Sequence, residues 1–233
     1  MLRLILNADD YGYDPAVSKG IARSMREGLV SSTTMIVNSP HSAAAATDAN
    51  GLAIGLHLNL VRFGSVSEAG RELDERAAMS AGFVEAETHA QLELLRQLIG
   101  REATHVDVHK HAHRAEAVLE GLGRAAKARG LAVRSIDGPM RAKLRAFGVR
   151  TNDAFLGDAG ETAYWTLERW SEQLDAAPRE GVVELMCHPG LTPSHVKSGY
   201  GPQREVELAT FLSPAARAAL EARGLTLSSW AGV

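Results

Sequence analysis

The sequence predicts an α/β fold: a single-domain, deformed (β/α) TIM-like barrel with parallel strands, over residues 1–233. Short aliphatic runs alternate with segments of helical periodicity, which is typical of parallel strands joined by right-handed crossovers. Acids and histidines follow several of these runs, at the strand ends where such barrels carry their active sites. No repeat, low-complexity segment or proline-rich linker marks a domain boundary, and barrels of this length are ordinary.

The first strand and helix have the clearest signals. Residues 2–7 (LRLILN) form an aliphatic run of the kind that makes a buried parallel strand. Asp14 then caps a predicted helix that begins at Pro15 and runs to Glu27.

The remaining predicted elements alternate in the same way. Strands are predicted at residues 32–38, 52–60, 104–109, 131–136 and 182–188. Helices are predicted at the AAAATDA segment and at residues 86–99, 115–129 and 213–224. Long loops are expected at residues 61–80 and 189–204, and long loops in compact domains are often functional.

Composition and charge narrow the class of function. The chain is 45% hydrophobic and 23% charged, as an ordinary globular protein is. A net charge of −3 offers no basic field for nucleic acid, so we expect a small-molecule substrate. No stretch has the length of a membrane span and the N-terminus lacks a signal-peptide pattern, so we expect a cytoplasmic protein. The single cysteine, Cys187, excludes an intrachain disulfide and is expected to be a core residue.

Asp9 and Asp10 stand side by side at the end of the first predicted strand. Strand alternation predicts that their side chains leave on opposite sides of the backbone and have different roles. An acidic pair at the mouth of a parallel sheet suits a metal ligand beside a general acid or base. The alternative is a helix cap beside a solvated acid.

The segment THVDVHKHAHR carries the strongest chemical signal. It places a polar side chain at every second position from His105 to His113. Because five such side chains facing a buried core would be prohibitively unfavourable, only the last residues of the strand can face the site. His109, at the strand end, is the expected metal ligand, although the spacing does not exclude His111. His105 or Asp107 is expected to orient an imidazole from behind, and His111 and His113 are expected in the following loop.

His57 lies in the aliphatic segment GLHLNL, where a histidine needs a specific reason to be buried. A hydrogen-bonded core histidine is the alternative to a ligand. With His109 and one carboxylate, His57 would complete the two-histidine, one-carboxylate arrangement of catalytic zinc. That arrangement leaves positions open for water and substrate.

The segment VVELMCHPG places Glu184 and His188 on one face of a predicted strand. His188 lies at the strand end before a Pro-Gly turn, which suits a general acid, and a loop-capping histidine is the alternative. Arg134 is a charge in an apolar predicted strand. It either binds an anionic or tetrahedral centre or pairs with an acid.

Five motifs in this order, NADDYG, STTMIVN, GLHLNL, THVDVHKHAH and ELMCHPG, resemble the YdjC-like (ChbG/HpnK) carbohydrate deacetylase family over nearly the whole chain. The resemblance implies a deformed (β/α) barrel in which a divalent metal ion helps to hydrolyse an N-acetyl group from an amino sugar. By position, it implies Asp10, His57 and His109 as the metal ligands and Asp9 as the general base.

Substrate contacts follow from the resemblance and from the polar residues near these motifs. Tyr11 replaces the usual phenylalanine of the family and adds a hydroxyl near the site. The candidate substrate contacts are Tyr11, Arg134, His111 and Glu184. The segment from Val61 to about Gly82 looks shorter than the corresponding family region, which leaves the identity of the N-acetylated sugar open.

The predicted mechanism uses one divalent ion. Asp9 would deprotonate a water polarised by the metal, and protonated His188 would give its proton to the leaving amine. Zinc, magnesium, cobalt and nickel all suit the ligand set, and a homodimer is the base-rate expectation. The alternatives are another metal-dependent amidohydrolase, a two-metal phosphoesterase that uses HKHAH, and a non-catalytic sugar-binding or metal-storage protein. The presence of both acids argues against the last of these.

Overall fold

A curled sheet of parallel strands forms the centre of the protein and makes an open α/β barrel. The computed structural model describes residues 2–74, 78–231 and 233. The strands are β1 (Leu2–Tyr11), β2 (Ser32–Met35), β3 (Ile54–Leu58), β4 (His105–Val108), β5 (Ala132–Val133), β6 (Ala154–Leu156), β7 (Gly181–Cys187) and β8 (Leu227–Ser228). Their order in the sheet is β5-β4-β3-β2-β1-β7-β6, and β8 pairs with β1. Because the pairings are parallel, the C-terminal strand ends meet at one edge.

Helices connect the strands and pack against them, with α1 on β1, α3 on β3 and α4 on β5. The helices are α1 (Pro15–Glu27), α2 (Ser42–Ala46), α3 (Ala81–Ile99), α4 (Glu116–Arg129), α5 (Gly138–Ala146), α6 (Leu167–Ala176), α7 (Pro202–Leu212) and α8 (Pro214–Glu221). A 3₁₀ turn, His109–Arg114, follows β4. Among the helices described, none combines the length and apolar composition needed to cross a bilayer.

The helix starts follow local sequence signals. The Asp14 carboxylate accepts a hydrogen bond from the Ala16 N–H at 2.8 Å, so α1 begins and ends as predicted. Four other helices begin behind side-chain caps in the same way; the capping residues are Ser80, Asp137, Thr166 and Ser213.

The predicted fold class is confirmed, and several boundaries differ from the prediction. The predicted strand 131–136 is two residues long in the structure, and the side chain of Arg134, directly after it, donates to Asp9. The predicted loop 189–204 ends earlier, where α7 begins. The predicted loop 61–80 contains one antiparallel bridge, between Gly64 and Glu72, and its residues 75–77 lie outside the described part of the chain. The sequence patterns did not predict α5, β6, α6, α7 and β8.

Aromatic rings fix α7 against the sheet. Trp165, Trp170 and Phe211 are fully buried, and their ring centroids lie 5.6 to 6.2 Å apart. The indole N–H of Trp165 donates to the Met186 carbonyl of β7 at 2.7 Å. Such tilted aromatic packing stabilises beyond the burial of area alone. It therefore sets the position of α7 relative to the end of β7.

Candidate active site

A cavity of about 690 Å³ opens at the C-terminal ends of the strands. Segments 158–161 and 197–200 line its outer part, and residues at the ends of β1, β3, β4 and β7 line its floor. Its polar lining includes Asp9, Asp10, Tyr13, His57, Arg62, His109, His111, His188, Tyr200 and Arg204. Side chains far apart in the sequence thus face one cavity.

A backbone irregularity at the end of β1 directs two carboxylates into this cavity. Asp10 has a left-handed φ of 76°, and the pairing with β2 shifts register between Ala8 and Tyr11. Aspartate adopts this region more readily than most residues do. The expectation that strand alternation would send Asp9 and Asp10 to opposite sides is therefore wrong, since both line the cavity.

Asp10, His57 and His109 converge on one point. Asp10 Oδ1 lies 3.3 Å from His57 Nε2 and 3.1 Å from His109 Nδ1, and the two ring nitrogens are 3.1 Å apart. All three residues are at most 9% exposed. Three potential lone-pair donors this close repel one another unless a cation or a proton lies among them.

This donor set fits a divalent metal ion. Asp10 Oδ1 is buried and makes no hydrogen bond to the described residues, so its lone pairs are free for a ligand bond. Ligand atoms about 2.0 to 2.1 Å from a tetrahedral zinc ion lie about 3.3 Å from one another, close to the separations here. Two imidazoles and one carboxylate are also the ligand types that zinc, cobalt and nickel accept. Asp10, His57 and His109 are therefore the candidate metal centre.

Asp107 fixes the orientation of the His57 ring. The Nδ1–H of His57 donates to Asp107 Oδ1 at 2.6 Å, so Nε2 faces Asp10. Thr34 Oγ1 donates to the other Asp107 oxygen at 2.9 Å. Burial would lower the pKa of His57, but the Asp107 and Asp10 carboxylates outweigh burial and raise the pKa to about 10. A metal ion would therefore compete with a proton for His57 Nε2.

Arg134 holds Asp9 from below. Its Nη1 and Nη2 donate to the two carboxylate oxygens of Asp9 at 2.6 and 2.7 Å. Burial would raise the pKa of Asp9, but the guanidinium outweighs burial and holds the pKa well below its usual range. Asp9 is therefore a fixed, ionised carboxylate beside the candidate metal centre.

The same guanidinium binds two further acids. Arg134 Nε and Nη2 donate to Glu184 Oε1 at 2.9 and 2.7 Å, and Nη2 lies 2.9 Å from Asp107 Oδ2. Burial raises the pKa of Glu184 to about 7, although Arg134 opposes the change. Arg134 thus connects Asp9 with the carboxylate that orients His57.

Two other groups of potential ligands surround Arg134. They are Asp9, His57 and Asp107, and His105, Asp107 and Glu184. The guanidinium already supplies positive charge to the carboxylates of both groups. This arrangement favours one metal ion at the Asp10 group over a two-metal site.

His188 lies across the cavity from the candidate ligands, at the end of β7. Its Nε2 is 4.0 Å from Asp9 Oδ2, and its backbone N–H donates to Glu207 Oε2 at 2.6 Å. Burial lowers the pKa of His188 to about 4, although the neighbouring aspartates oppose the change. A neutral imidazole therefore lies beside an ionised carboxylate.

Known proteins resemble this chain in sequence and in fold. The family model described as YdjC-like protein matches residues 3–222. The chain belongs to the YdjC-like family. This YdjC-like protein is 33% identical to a chitooligosaccharide deacetylase of Serratia marcescens, over 97% of both chains. It is 30% identical to a chitooligosaccharide deacetylase of Enterobacter sp. (strain 638), again over 97% of both chains.

Solved structures show the same architecture. A protein of Enterococcus faecalis V583 described as a cellobiose-phosphate cleavage protein superimposes with a TM-score of 0.85 at 28% identity, covering 98% of this chain and 97% of that one. A family 4 acetyl xylan esterase from Clostridium thermocellum, in complex with a cobalt ion, has a TM-score of 0.55 at 12% identity, covering 98% and 88%. The second likeness shows a shared fold.

Three predicted substrate contacts of the YdjC-like protein do not face the cavity. Tyr11 is fully buried and its hydroxyl donates to the Ala45 carbonyl at 2.7 Å, so its predicted place near the substrate is wrong. Arg134 and Glu184 are also fully buried, and they bind each other beneath Asp9. Of the alternatives for Arg134, the structure shows the pairing with acids.

The histidines after β4 separate into different environments. His111 lines the cavity, as a substrate contact should, because Lys110 and His111 adopt left-handed φ values of 53° and 51°. His113 is fully buried, and His105 stacks on Trp230 at 4.9 Å. Two consecutive left-handed residues without glycine are strained, and such strain is concentrated at functional sites.

Several residues of the YdjC-like site were not predicted from the sequence. Tyr13 and Arg62 line the cavity and are hydrogen-bonded to each other. Arg204 and Glu207 lie on the buried face of α7. The available signal was the polar pair Arg-x-x-Glu in a helical segment, which places two charges on one face one turn apart.

Proposed function

We propose that this protein is a metal-dependent carbohydrate deacetylase that hydrolyses the N-acetyl group of an amino sugar. The convergence of Asp10, His57 and His109 beside the ionised Asp9 carries the proposal. The names of the relatives from Serratia and Enterobacter support the reaction and the class of substrate. A chitooligosaccharide or another glycoconjugate containing N-acetylglucosamine is the proposed substrate, and the cavity volume lies in the range of small-molecule sites.

Asp10, His57 and His109 would hold one divalent ion, with zinc, cobalt, nickel and magnesium as candidates. When bound, the ion polarises water and the acetyl carbonyl. Asp107 keeps His57 Nε2 directed at the centre, and Arg134 keeps Asp9 in place. His111 is proposed to contact the sugar because it lines the cavity.

The proton path is proposed to use Asp9 and His188 in sequence. Asp9 accepts a proton from the attacking water, whose oxygen bonds to the acetyl carbon. Arg134 holds the pKa of Asp9 well below its usual range, so Asp9 is a weak base that can release the proton again. His188 Nε2 lies 4.0 Å from Asp9 Oδ2, and catalytic contacts of this kind tighten when substrate binds, so His188 is proposed to receive the proton and deliver it to the nitrogen as the C–N bond breaks.

The test is acetate release from a panel of N-acetylglucosamine compounds. The protein is stripped with a chelator and reloaded with single divalent ions before each assay. We expect acetate release that is lost on stripping and restored by at least one ion. Stoichiometric metal binding without acetate release from any compound would overturn the proposed reaction.

A further inference from the structure

We infer that α7 is the positioning helix of the site: Arg204 sets which oxygen of Asp10 faces the candidate metal centre, and Glu207 sets the place of His188. Neither residue contacts the candidate metal ligand atoms of the two histidines. The inference rests on the proposed function for its catalytic consequence, while its structural part is testable without turnover.

Arg204 occupies one oxygen of the Asp10 carboxylate. Its Nη2 donates to Asp10 Oδ2 at 2.6 Å, and its Nε donates to the Tyr200 carbonyl at 2.9 Å. The Arg204 side chain is 3% exposed, so this pair is shielded from water. With Oδ2 held by the guanidinium, Oδ1 is left to face His57 and His109. Arg204 thus favours one coordinating oxygen over a two-oxygen contact.

The planar shape of the guanidinium matters here. One rigid plane joins the bond to Tyr200 with the bond to Asp10, so the position of α7 is transmitted to the carboxylate. A lysine would keep the charge but could not hold both acceptors in one plane. The exchange of arginine for lysine therefore separates orientation from charge.

Glu207 lies one helical turn further along α7 and binds the strand end that carries His188. Its Oε2 accepts the backbone N–H of His188 at 2.6 Å, and its Oε1 accepts the Tyr200 hydroxyl at 2.5 Å. Glu207 is fully buried. The Tyr200 ring in turn lies 5.4 Å from the His188 ring. Glu207 therefore fixes both the backbone and one side of the imidazole.

The first experiment measures Co²⁺ affinity and the Co²⁺ absorption spectrum of Arg204→Lys, after chelator treatment. We expect binding about tenfold weaker and a changed spectrum, as the loss of residues that orient metal ligands typically gives. Arg26→Gln is the matched control, because it breaks an exposed Arg–Asp pair of 2.8 Å outside the cavity and should leave both readouts unchanged. Arg204→Gln, which also removes the charge, is measured if the lysine variant does not fold.

Wild-type Co²⁺ affinity and spectrum in a folded Arg204 variant would overturn the role of Arg204. Circular dichroism of the metal-free variants shows whether each one is folded. Since these readouts need no substrate, they remain decisive if the protein releases no acetate.

The second experiment follows Glu207→Gln by NMR and kinetics. We expect the His188 backbone amide resonance to move upfield, because an amide oxygen replaces the carboxyl oxygen as the acceptor, while Co²⁺ affinity is unchanged. With a substrate, kcat should fall about tenfold at nearly constant KM.

Glu205→Gln is the matched control on the same helix, since the exposed Glu205 also accepts one backbone N–H and one hydroxyl, both from Thr192. An unmoved His188 resonance in Glu207→Gln would overturn the role of Glu207 in placing His188. A kcat equal to that of Glu205→Gln would show that this role has no effect on catalysis.

Discussion

Arg134, fully buried inside the barrel, donates hydrogen bonds to both carboxylate oxygens of Asp9, at 2.6 and 2.7 Å. A guanidinium in this position fixes the carboxylate and keeps it charged. His188 Nε2, 4.0 Å from Asp9 Oδ2, is the proposed acceptor of the proton that Asp9 takes up.

Replacing Asp9 with asparagine should lower turnover about 10²- to 10⁴-fold and leave metal binding in place. The amide cannot accept the proton of the attacking water, and loss of a general base typically lowers the rate by about 10² to 10⁴. Acetate release and bound metal are measured on the same sample. Full activity in Asp9→Asn would remove Asp9 from the proposed mechanism.

Replacing Asp107 with asparagine should weaken metal binding about 10- to 100-fold. Asp107 orients the His57 ring and makes its Nε2 a stronger ligand, and an amide does this less well. Calorimetric titration with Zn²⁺ measures the change, and Asp48→Asn, at an exposed ion pair, is the control. Equal affinities in the two variants would contradict the orienting role.

Metal-free protein should lose stability with rising pH through Glu184. Because burial raises the folded-state pKa of Glu184 from 4.5 to about 7, its contribution is fully present below about pH 4.5 and is lost through about pH 7. The loss is on the order of 3 kcal/mol. We expect Glu184→Gln to lack this part of the pH dependence.

Urea unfolding at pH 5 and pH 8 measures the difference between wild type and variant. Glu168→Gln, on the exposed face of α6, is the control. A wild-type-minus-variant difference that is the same at both pH values would rule out Glu184 as the titrating group.

Replacing Gly20 with alanine should destabilise the fold by about 1 to 3 kcal/mol. A Cβ at this position would lie 2.5 Å from the Gly190 Cα, where α1 meets the loop that follows His188. Gly82→Ala is the control, since a Cβ there meets nothing within 4 Å and alanine favours a helix. Chemical unfolding checks the prediction, and equal effects in the two variants would contradict it.

The alternation of strands and helices could be predicted from the sequence because aliphatic runs and helix caps are local signals. Short edge elements such as β6, three half-buried residues, have no such pattern and were missed. His57 and His109 could be proposed as ligands because a buried histidine at a parallel strand end needs a partner.

Arg204 could not be found in this way, because its contact with Asp10 spans 194 residues and depends on how α7 packs. The prediction for Tyr11 failed because the Tyr11 ring is buried and its hydroxyl donates to the Ala45 carbonyl. The Arg-x-x-Glu pair places two charges on one helix face, but local sequence does not show which residues that face contacts.

The central strand β1 takes its neighbours from both ends of the chain: β2 follows it closely, whereas β7 and β8 come more than 160 residues later. During synthesis, one edge of β1 therefore stays unpaired until β7, Gly181–Cys187, has left the ribosome. Such long-range pairing slows folding and exposes apolar strand edges in the interval. Arg204 follows β7 in the chain, so the hydrogen bond from Arg204 to Asp10 can form only after that strand has been synthesised.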